Sequence, residues 1–172
     1  MELEIIADKE GKYKVNGKLN LKRYFSLDDV SPYDRVKWTT SDIDIKDENG
    51  KVLFIQKNSK FPEYFSPVAR SVVSSRYSYG EIGTSERETS LKSIDERISE
   101  TYGRQSLERG YFSENDAKIF IDELAELTLH QKFAFNSPVW FNVGTDRYES
   151  RRNSQKSDGY HIENGVAVLN KI

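Results

Sequence analysis

The 172-residue chain is polar and nearly neutral, with 31% charged and 36% hydrophobic residues and a formal net charge of −2. This balance gives no reason to expect nucleic acid or an anionic membrane as a partner. The chain contains no cysteine, which excludes disulfides, thiolate nucleophiles and cysteine-ligated metal centres within these residues. No apolar run approaches the roughly 20 residues needed to cross a bilayer, and the start has no signal-peptide pattern. We therefore expect a soluble, cytoplasmic protein.

The first 60 residues are predicted to be rich in β structure. Asp42–Lys46 alternates polar and apolar side chains, and the apolar run Val52–Ile55 follows it. Asn49-Gly50 lies between them and is a strong hairpin signal, because both residues tolerate the positive φ of a tight turn. We predict a β hairpin over about residues 36–57. Residues 1–20 are either unstructured or form a small strand pair, with Ile5-Ile6 opposite Tyr13–Val15.

Residues 61–135 are predicted to be helical, because their apolar residues recur at helical spacing. A first helix is expected over Ser66–Tyr77, with Pro67 in its first turn. Tyr79–Thr84 is predicted to be a loop. Ser85-x-x-Glu88 then has the capping-box pattern, and a helix of about five turns is expected behind it. Its apolar face carries Leu91, Ile94, Ile98 and Tyr102.

A third helix is predicted behind Ser113-x-x-Asp116, which resembles another cap, and is expected to run to about Lys132. Gly103 and Gly110 are expected to bracket the frayed end of the helix before it. Two long helices with a short connection pack antiparallel and share one apolar seam. The apolar face of the third helix carries Ala117, Phe120, Leu124 and Leu127.

The remainder of the chain is predicted to contain little regular structure. Pro138–Gly144 is a short apolar run that predicts a strand, and we assign residues 136–144 to it. Thr145–Gly159 is polar and charged, as in a loop or disordered insert. Residues 162–172 predict a strand with no visible partner. We treat 145–172 as one segment whose fold the sequence does not specify.

Phe135–Gly144 is the most informative stretch for function. Pro138 fixes its own φ and favours an extended conformation for Ser137. The Ser137 hydroxyl and nearby backbone N–H groups would then point outward together, as suits a phosphate or another anion. The alternative is that Asn136-Ser137-Pro138 is only a turn and that Trp140 and Phe141 belong to the core.

A colinear series of motifs extends the signal over about residues 21–144. The pieces, in chain order, are Tyr33-Asp34-x-Val36-x-Trp38, Phe65-Ser66-x-x-Ala69, Ser75-x-Tyr77, Gly83-Thr84-x-Glu86-Arg87-Glu88, Gly110-Tyr111-Phe112 and Gln131-Lys132-x-Ala134-Phe135-Asn136. Together with Phe135–Gly144, the series resembles the amino-terminal region of the adenosylcobalamin-dependent (class II) ribonucleotide reductases. Phe65 stands where that family often has Trp, and residues 145–172 match nothing in it.

The resemblance implies an α+β fold in which N-terminal β hairpins and a cap of three helices lead into the first strand of an incomplete α/β barrel. It implies reduction of ribonucleoside diphosphates by a radical that adenosylcobalamin supplies. Ser137 would contact the substrate diphosphate, and Asn136 and Pro138 would hold its geometry. The family's catalytic cysteines follow later, so no catalytic residue and no cobalamin site are assigned in this chain. We expect it to be inactive alone, with Trp140 and Phe141 exposed and prone to aggregation.

Other polar residues carry weaker signals. Glu81, Glu86 and Glu88 with Arg87 resemble an acid/base cluster, but acids at a helix start are usually structural. The two histidines, His130 and His161, are too few to indicate a metal site. A basic stretch interleaved with Tyr148 and Tyr160 would suit single-stranded nucleic acid, yet acids and amides dilute it and favour a solvated loop. Its cations are Arg147, Arg151, Arg152 and Lys156.

Three functional interpretations remain open at this point. The first is a segment of a ribonucleotide reductase that works with the rest of the reductase chain or with a partner subunit carrying it. The second is a non-catalytic truncated or split-gene product that associates with a partner chain carrying the catalytic barrel. The third is a small nucleic-acid-binding protein that uses residues 145–160.

Overall fold

The computed structural model describes residues 4–7, 13–16, 19–152, 160–163 and 166–169, which form an α+β fold. Each sheet in these residues has two antiparallel strands. β1 (Glu4–Ala7) pairs with β2 (Tyr13–Asn16), with Ile5 opposite Val15, so the strand pair is the correct one of the two alternatives for this region. Within these described ranges, no helix is both long and apolar enough to cross a membrane.

The predicted hairpin is present but longer and with a wider turn. β3 (Trp38–Lys46) pairs with β4 (Val52–Pro62). The turn is closed by the Asp47 carboxylate, which accepts hydrogen bonds from the backbone N–H groups of Asn49 and Lys51, each at 2.9 Å. Gly50 takes the positive φ (+80°), whereas Asn49 does not. The Asn-Gly pair therefore marks the hairpin, but the Asp side chain shapes its turn.

The first predicted helix is confirmed. α1 (Pro67–Val72) begins after the cap Ser66, whose hydroxyl accepts from the Ala69 N–H, and continues as a π-helical turn over Val73–Tyr77. Tyr79–Thr84 is a loop, as predicted.

The second helix begins later than predicted. α2 (Leu91–Glu108) is capped by Ser90, whose hydroxyl accepts from the Ser93 N–H. The prediction of a capping box at Ser85-x-x-Glu88 is therefore wrong. Glu88 instead forms a buried ion pair with Arg97, and this pairing leaves its carboxylate unavailable for a cap.

α3 (Glu114–Leu129) begins with the predicted capping box, in which Ser113 and Asp116 exchange hydrogen bonds. Gly103 lies inside α2 rather than at its end, and a Cβ there would come within 2.8 Å of the Ile121 side chain. Glycine thus allows the two helices to approach closely. Gly103 lies near Ala117 and Ile121, whereas Asp95 lies near Thr128, so the helices run antiparallel as predicted.

The core lies between the helix pair, the hairpin base and α1. One cluster contains Tyr33, Val36, Phe61, Phe65, Leu91, Ala125 and Leu129, and a second contains Ile94, Ile98 and Trp140.

Carboxylates of α3 hold residues 19–35, the segment before the β3–β4 hairpin, against this core. Glu123 accepts hydrogen bonds from three successive N–H groups, those of Tyr24, Phe25 and Ser26. Burial by itself would raise the pKa of the Glu123 carboxyl, but its hydrogen bonds outweigh burial and hold that pKa below its usual range.

The segment predicted as the first barrel strand is a helix, which corrects that prediction. α4 (Ser137–Asn142) is capped by Asn136 and has Pro138 in its first turn. Pro at this position favours a helix because its fixed φ is already helical. No described strand lies beside α4 to supply hydrogen-bond partners. We expected both Trp140 and Phe141 to be exposed. Phe141 is 46% exposed, but Trp140 is only 6% exposed.

The polar tail is also more regular than predicted. Thr145–Arg147 forms a 3₁₀ turn and residues 149–152 are helical, while the rest of the predicted loop, 153–159, lies outside the described residues. β5 (Tyr160–Glu163) pairs with β6 (Val166–Leu169), so the expectation of an unpartnered strand is wrong. Asn164-Gly165 stands between them in the sequence, and this is the hairpin signal that the prediction overlooked.

Candidate functional site

Ser137 is exposed in the first turn of α4, where its neighbours set the backbone. The Asn136 side chain accepts a hydrogen bond from the Val139 N–H at 3.4 Å. At the other end of the helix, the Asn142 amide donates to the Pro138 carbonyl at 3.0 Å. The predicted anion-binding segment therefore has a defined conformation with its serine hydroxyl at the surface.

Tyr77 brings a second hydroxyl to Ser137. The two hydroxyl oxygens lie 3.5 Å apart. The Tyr77 ring is fixed by Trp140, stacked at 5.7 Å between centroids, and by Phe141 at 5.5 Å. Tyr77 ends the π-helical turn, a distortion that often occurs at functional sites. Sequence reasoning assigned no role to this tyrosine, although it lies in the Ser75-x-Tyr77 motif.

An open apolar cleft of about 300 Å³ lies beside this hydroxyl pair. We call it the aromatic cleft. It separates α1 and its π-helical turn from the segment that connects α3 to α4, and its main lining residues are Phe65, Val73, Tyr77, Phe133, Phe135 and Trp140. Phe133 remains 40% exposed at its rim.

A buried ion pair holds α4 in place. The Arg97 guanidinium binds both carboxylate oxygens of Glu88, at 2.7 and 3.1 Å. It also donates to the carbonyls of Trp140 and Val143, at 3.0 and 2.5 Å, near the end of α4. Tyr148 donates to Glu88 at 2.9 Å, and burial together with the Glu88 charge raises the pKa of its hydroxyl. Arg97 thus uses its planar fork to tie α2 to α4.

The acidic residues around Arg87, for which we expected a structural role, do have structural partners in this fold. Glu88 belongs to the ion pair, and the half-buried Glu86 accepts from the N–H groups of Glu149 and Ser150. Arg87 donates to the Gln56 side chain and to several backbone carbonyls, those of Ser74, Ser78 and Gly80. Glu81 is exposed. The structure therefore supports the structural interpretation of these residues.

The histidine and the basic residues that the structure describes also have internal partners. His130 stacks on Tyr64 and lies 3.1 Å from Glu126. Arg147 pairs with Glu100 at 3.1 Å. Lys156 and the side chains of Tyr160 and His161 lie outside the described residues.

We assign no cobalamin site among the described residues. Four of their cavities have volumes of about 300 to 510 Å³, the size of an ordinary small-molecule pocket. A corrin with its nucleotide loop is much larger, so none of these four cavities fits a cobalamin. We therefore derive no chemical step through this cofactor.

Asp95 is a further buried group that sequence reasoning missed. Its carboxylate accepts a hydrogen bond from the Tyr33 hydroxyl at 2.7 Å and is fully inaccessible to solvent. Burial raises the pKa of Asp95 to about 6, against the opposing hydrogen bond from the Tyr33 hydroxyl. The sequence did offer one indication, since Asp95 directly follows Ile94, a residue of the apolar face of α2.

Several known proteins that are similar to this chain share the same name. No model of a protein family matches it. The vitamin B12-dependent ribonucleotide reductase of Streptomyces coelicolor is 45% identical over 129 residues, which are 74% of this chain and 13% of that protein. Its counterpart in Rhodopirellula baltica is 41% identical over 73% of this chain and 12% of its own length. That of Agrobacterium fabrum is 27% identical over 73% of this chain and 13% of its own.

The chain thus spans 12–13% of the length of these relatives. Their name agrees with the resemblance that the ordered motifs between residues 21 and 144 indicated. The chain belongs to the vitamin B12-dependent (class II) ribonucleotide reductase family and corresponds to its amino-terminal region.

Proposed function

We propose that this chain forms the amino-terminal part of an enzyme that reduces ribonucleoside diphosphates to deoxyribonucleotides. The observation that carries the proposal is the 41–45% identity to reductases over nearly three quarters of the chain. In the whole enzyme, adenosylcobalamin would initiate the radical chemistry and cysteines would carry the radical and the electrons. These 172 residues contain no cysteine. We therefore expect them to show no turnover on their own.

Ser137 is the residue of this chain that we assign to the substrate, as a hydrogen-bond donor to its diphosphate. The support is its position in the Asn-Ser-Pro motif, its exposure and the rigid turn around it. A hydroxyl donates well to a phosphate oxygen, and bonds to charged groups are stronger than neutral ones. Asn136 and Pro138 act by holding this turn. The role assigned to Ser137 is binding, and no proton or radical transfer is assigned to it.

The test uses a chimera, the Streptomyces coelicolor reductase with residues 21–144 of this chain in place of its matched segment. Ser137→Ala in the chimera is expected to raise the KM for the nucleoside diphosphate about tenfold or more, because a bond to a charged group contributes about 1.5–3 kcal/mol. The matched control is Ser31→Ala, which alters an exposed serine whose side chain makes no cap hydrogen bond. Equal KM values for the two variants would refute the assignment of Ser137.

The absence of cysteine also supports a second candidate. In this alternative the chain is a non-catalytic subunit that associates with a partner chain carrying the catalytic barrel. The reading frame directly downstream distinguishes the two candidates. In the family the first redox cysteine lies in a Cys-Ser-Ala-Cys-like segment, so a continuation with such a segment supports a single reductase chain. A separate gene that encodes such a segment supports the partner arrangement.

A further inference from the structure

We infer that the aromatic cleft is the surface on which the rest of the reductase polypeptide docks, with apolar side chains of that polypeptide inserted between α1 and the segment preceding α4. The inference rests on the proposed function, since it takes the reductase remainder as the occupant. It adds the surface through which this region is joined to that remainder.

The first argument is the exposed apolar area. The cleft is open and lined mainly by aromatic and aliphatic side chains, and Phe133 and Phe141 remain 40% and 46% exposed next to it. Burying such side chains stabilises a contact roughly in proportion to the apolar area removed from water. A volume of about 300 Å³ has room for a few leucine- or phenylalanine-sized side chains. Apolar concavities of this kind are where interface anchors insert.

The second argument is that the chain covers other apolar surface by itself. Residues 19–35 lie against α3 and are held there by its carboxylates. Arg23 pairs with Asp122 at 2.7 Å, and Leu21 donates to Asp116 at 2.8 Å. Nothing comparable among the described residues crosses the aromatic cleft, which remains open to solvent.

The third argument is the length of the relatives. The matched segment makes up 13% of the Streptomyces coelicolor protein, so most of that protein lies outside it and must contact it somewhere. The Ser137 hydroxyl lies 3.5 Å from that of Tyr77, which lines the cleft. A substrate held at Ser137 and reduced by cysteines elsewhere requires the remaining polypeptide to approach this side of the segment. The apolar lining and the proposed substrate position therefore both indicate the aromatic cleft as the docking surface.

Hydrogen exchange of the chimera defined above tests the inference directly. Backbone amides of residues 67–77 and 131–141 are expected to exchange at least about tenfold more slowly in the chimera than in the isolated 172-residue chain, because docking suppresses local opening. The hairpin turn, residues 47–51, is expected to exchange equally in both. Equal exchange of the cleft segments in the two proteins, or protection confined to other surfaces, would overturn the inference.

A matched pair of substitutions provides a second measurement. Phe133→Glu places a charge in the cleft, whereas Leu53→Glu makes the same kind of change at a 62% exposed residue of β4. Each variant of the isolated chain is first checked for an unchanged circular dichroism spectrum. In the chimera, Phe133→Glu is expected to abolish the protection of residues 67–77, and Leu53→Glu to leave it intact. Retained protection in the Phe133→Glu chimera would contradict docking in the cleft.

The two proposals can fail separately in this design. A chimera that reduces nucleotides while its cleft segments exchange freely would refute the docking surface and leave the proposed function standing. A chimera with a protected cleft and no nucleotide reduction would refute the proposed function and leave the docking surface standing.

Discussion

Two carboxyl groups of very different character are buried around α2. Glu88 faces a guanidinium that binds both of its oxygens, whereas the Asp95 carboxylate accepts a hydrogen bond from the Tyr33 hydroxyl and has no ion-pair partner among the described residues. A buried charge is costly unless it is paired, so the guanidinium offsets the cost of burying Glu88, whereas burial raises the pKa of Asp95. The two sites therefore predict different responses to substitution and to pH.

Removing either partner of the Glu88–Arg97 pair should strongly destabilise the protein. Arg97→Met leaves a buried carboxylate and two unpaired carbonyls near the end of α4, and the expected loss in the free energy of unfolding is about 3–5 kcal/mol. The exposed pair Arg104–Glu108 provides the control, since Arg104→Gln should cost at most about 1 kcal/mol. Urea unfolding measures both. Similar losses for the two variants would contradict the role assigned to Arg97.

Asp95 should make stability fall as pH rises. Its folded pKa of about 6 lies above the unfolded value of about 3.9, so the folded state binds the extra proton between these values. The free energy of unfolding of the wild type should therefore decrease relative to that of Asp95→Asn between about pH 4 and pH 6, by about 1–3 kcal/mol, and then level off. Tyr33→Phe removes a donor to the carboxylate and should extend the fall to higher pH. Parallel pH curves for wild type and Asp95→Asn would refute this.

At the scale of elements, close backbone approaches fix how the helices are placed. Gly103 lets α3 approach α2, and Gly144 lets the turn after α4 approach α2 from another side. Gly144 has a φ of +72°, and a Cβ there would lie 2.4 Å from the Thr101 hydroxyl and 2.5 Å from the Arg97 carbonyl. The position of α4, and with it that of Ser137, therefore depends on this glycine.

Gly144→Ala should destabilise the protein far more than Gly50→Ala. Both glycines have positive φ, which costs an L-residue about 1–2 kcal/mol, but a Cβ at Gly50 meets no atom within 4 Å. The additional overlap at Gly144 should add about 1–3 kcal/mol. Thermal or urea unfolding of the two variants gives the comparison. Equal losses would mean that α4 does not depend on this close approach.

The same elements show what the sequence could predict. The Ser113–Asp116 cap and the β3–β4 hairpin depend on residues close in sequence, and both predictions were confirmed. The start of α2 was predicted wrongly, because Glu88 does not cap a helix but pairs with Arg97, nine residues further along the chain. The helix α4 was predicted as a strand, since a short and largely apolar run fits either structure by periodicity alone. Tyr77 was missed because its proximity to Ser137 is tertiary.

At the scale of the whole molecule, the chain folds around its own core yet leaves one apolar surface open. Its motifs and its relatives identify it as the amino-terminal region of a class II reductase. The exposed Ser137, the adjacent Tyr77 and the open cleft lie together in this fold. In the proposed enzyme, this segment would complete a substrate site formed mainly by other parts of the polypeptide.

The rate of deoxynucleotide formation by the chimera tests this central claim most directly. Residues 21–144 of this chain, placed in the Streptomyces coelicolor reductase, are expected to support reduction that depends on adenosylcobalamin. When Ser137 is replaced by alanine, the rate of reduction at low nucleotide concentration is expected to fall. The isolated 172-residue chain, assayed alongside, is expected to form no deoxynucleotide because it contains no cysteine. A folded chimera that binds nucleotide but forms no deoxynucleotide would contradict the account.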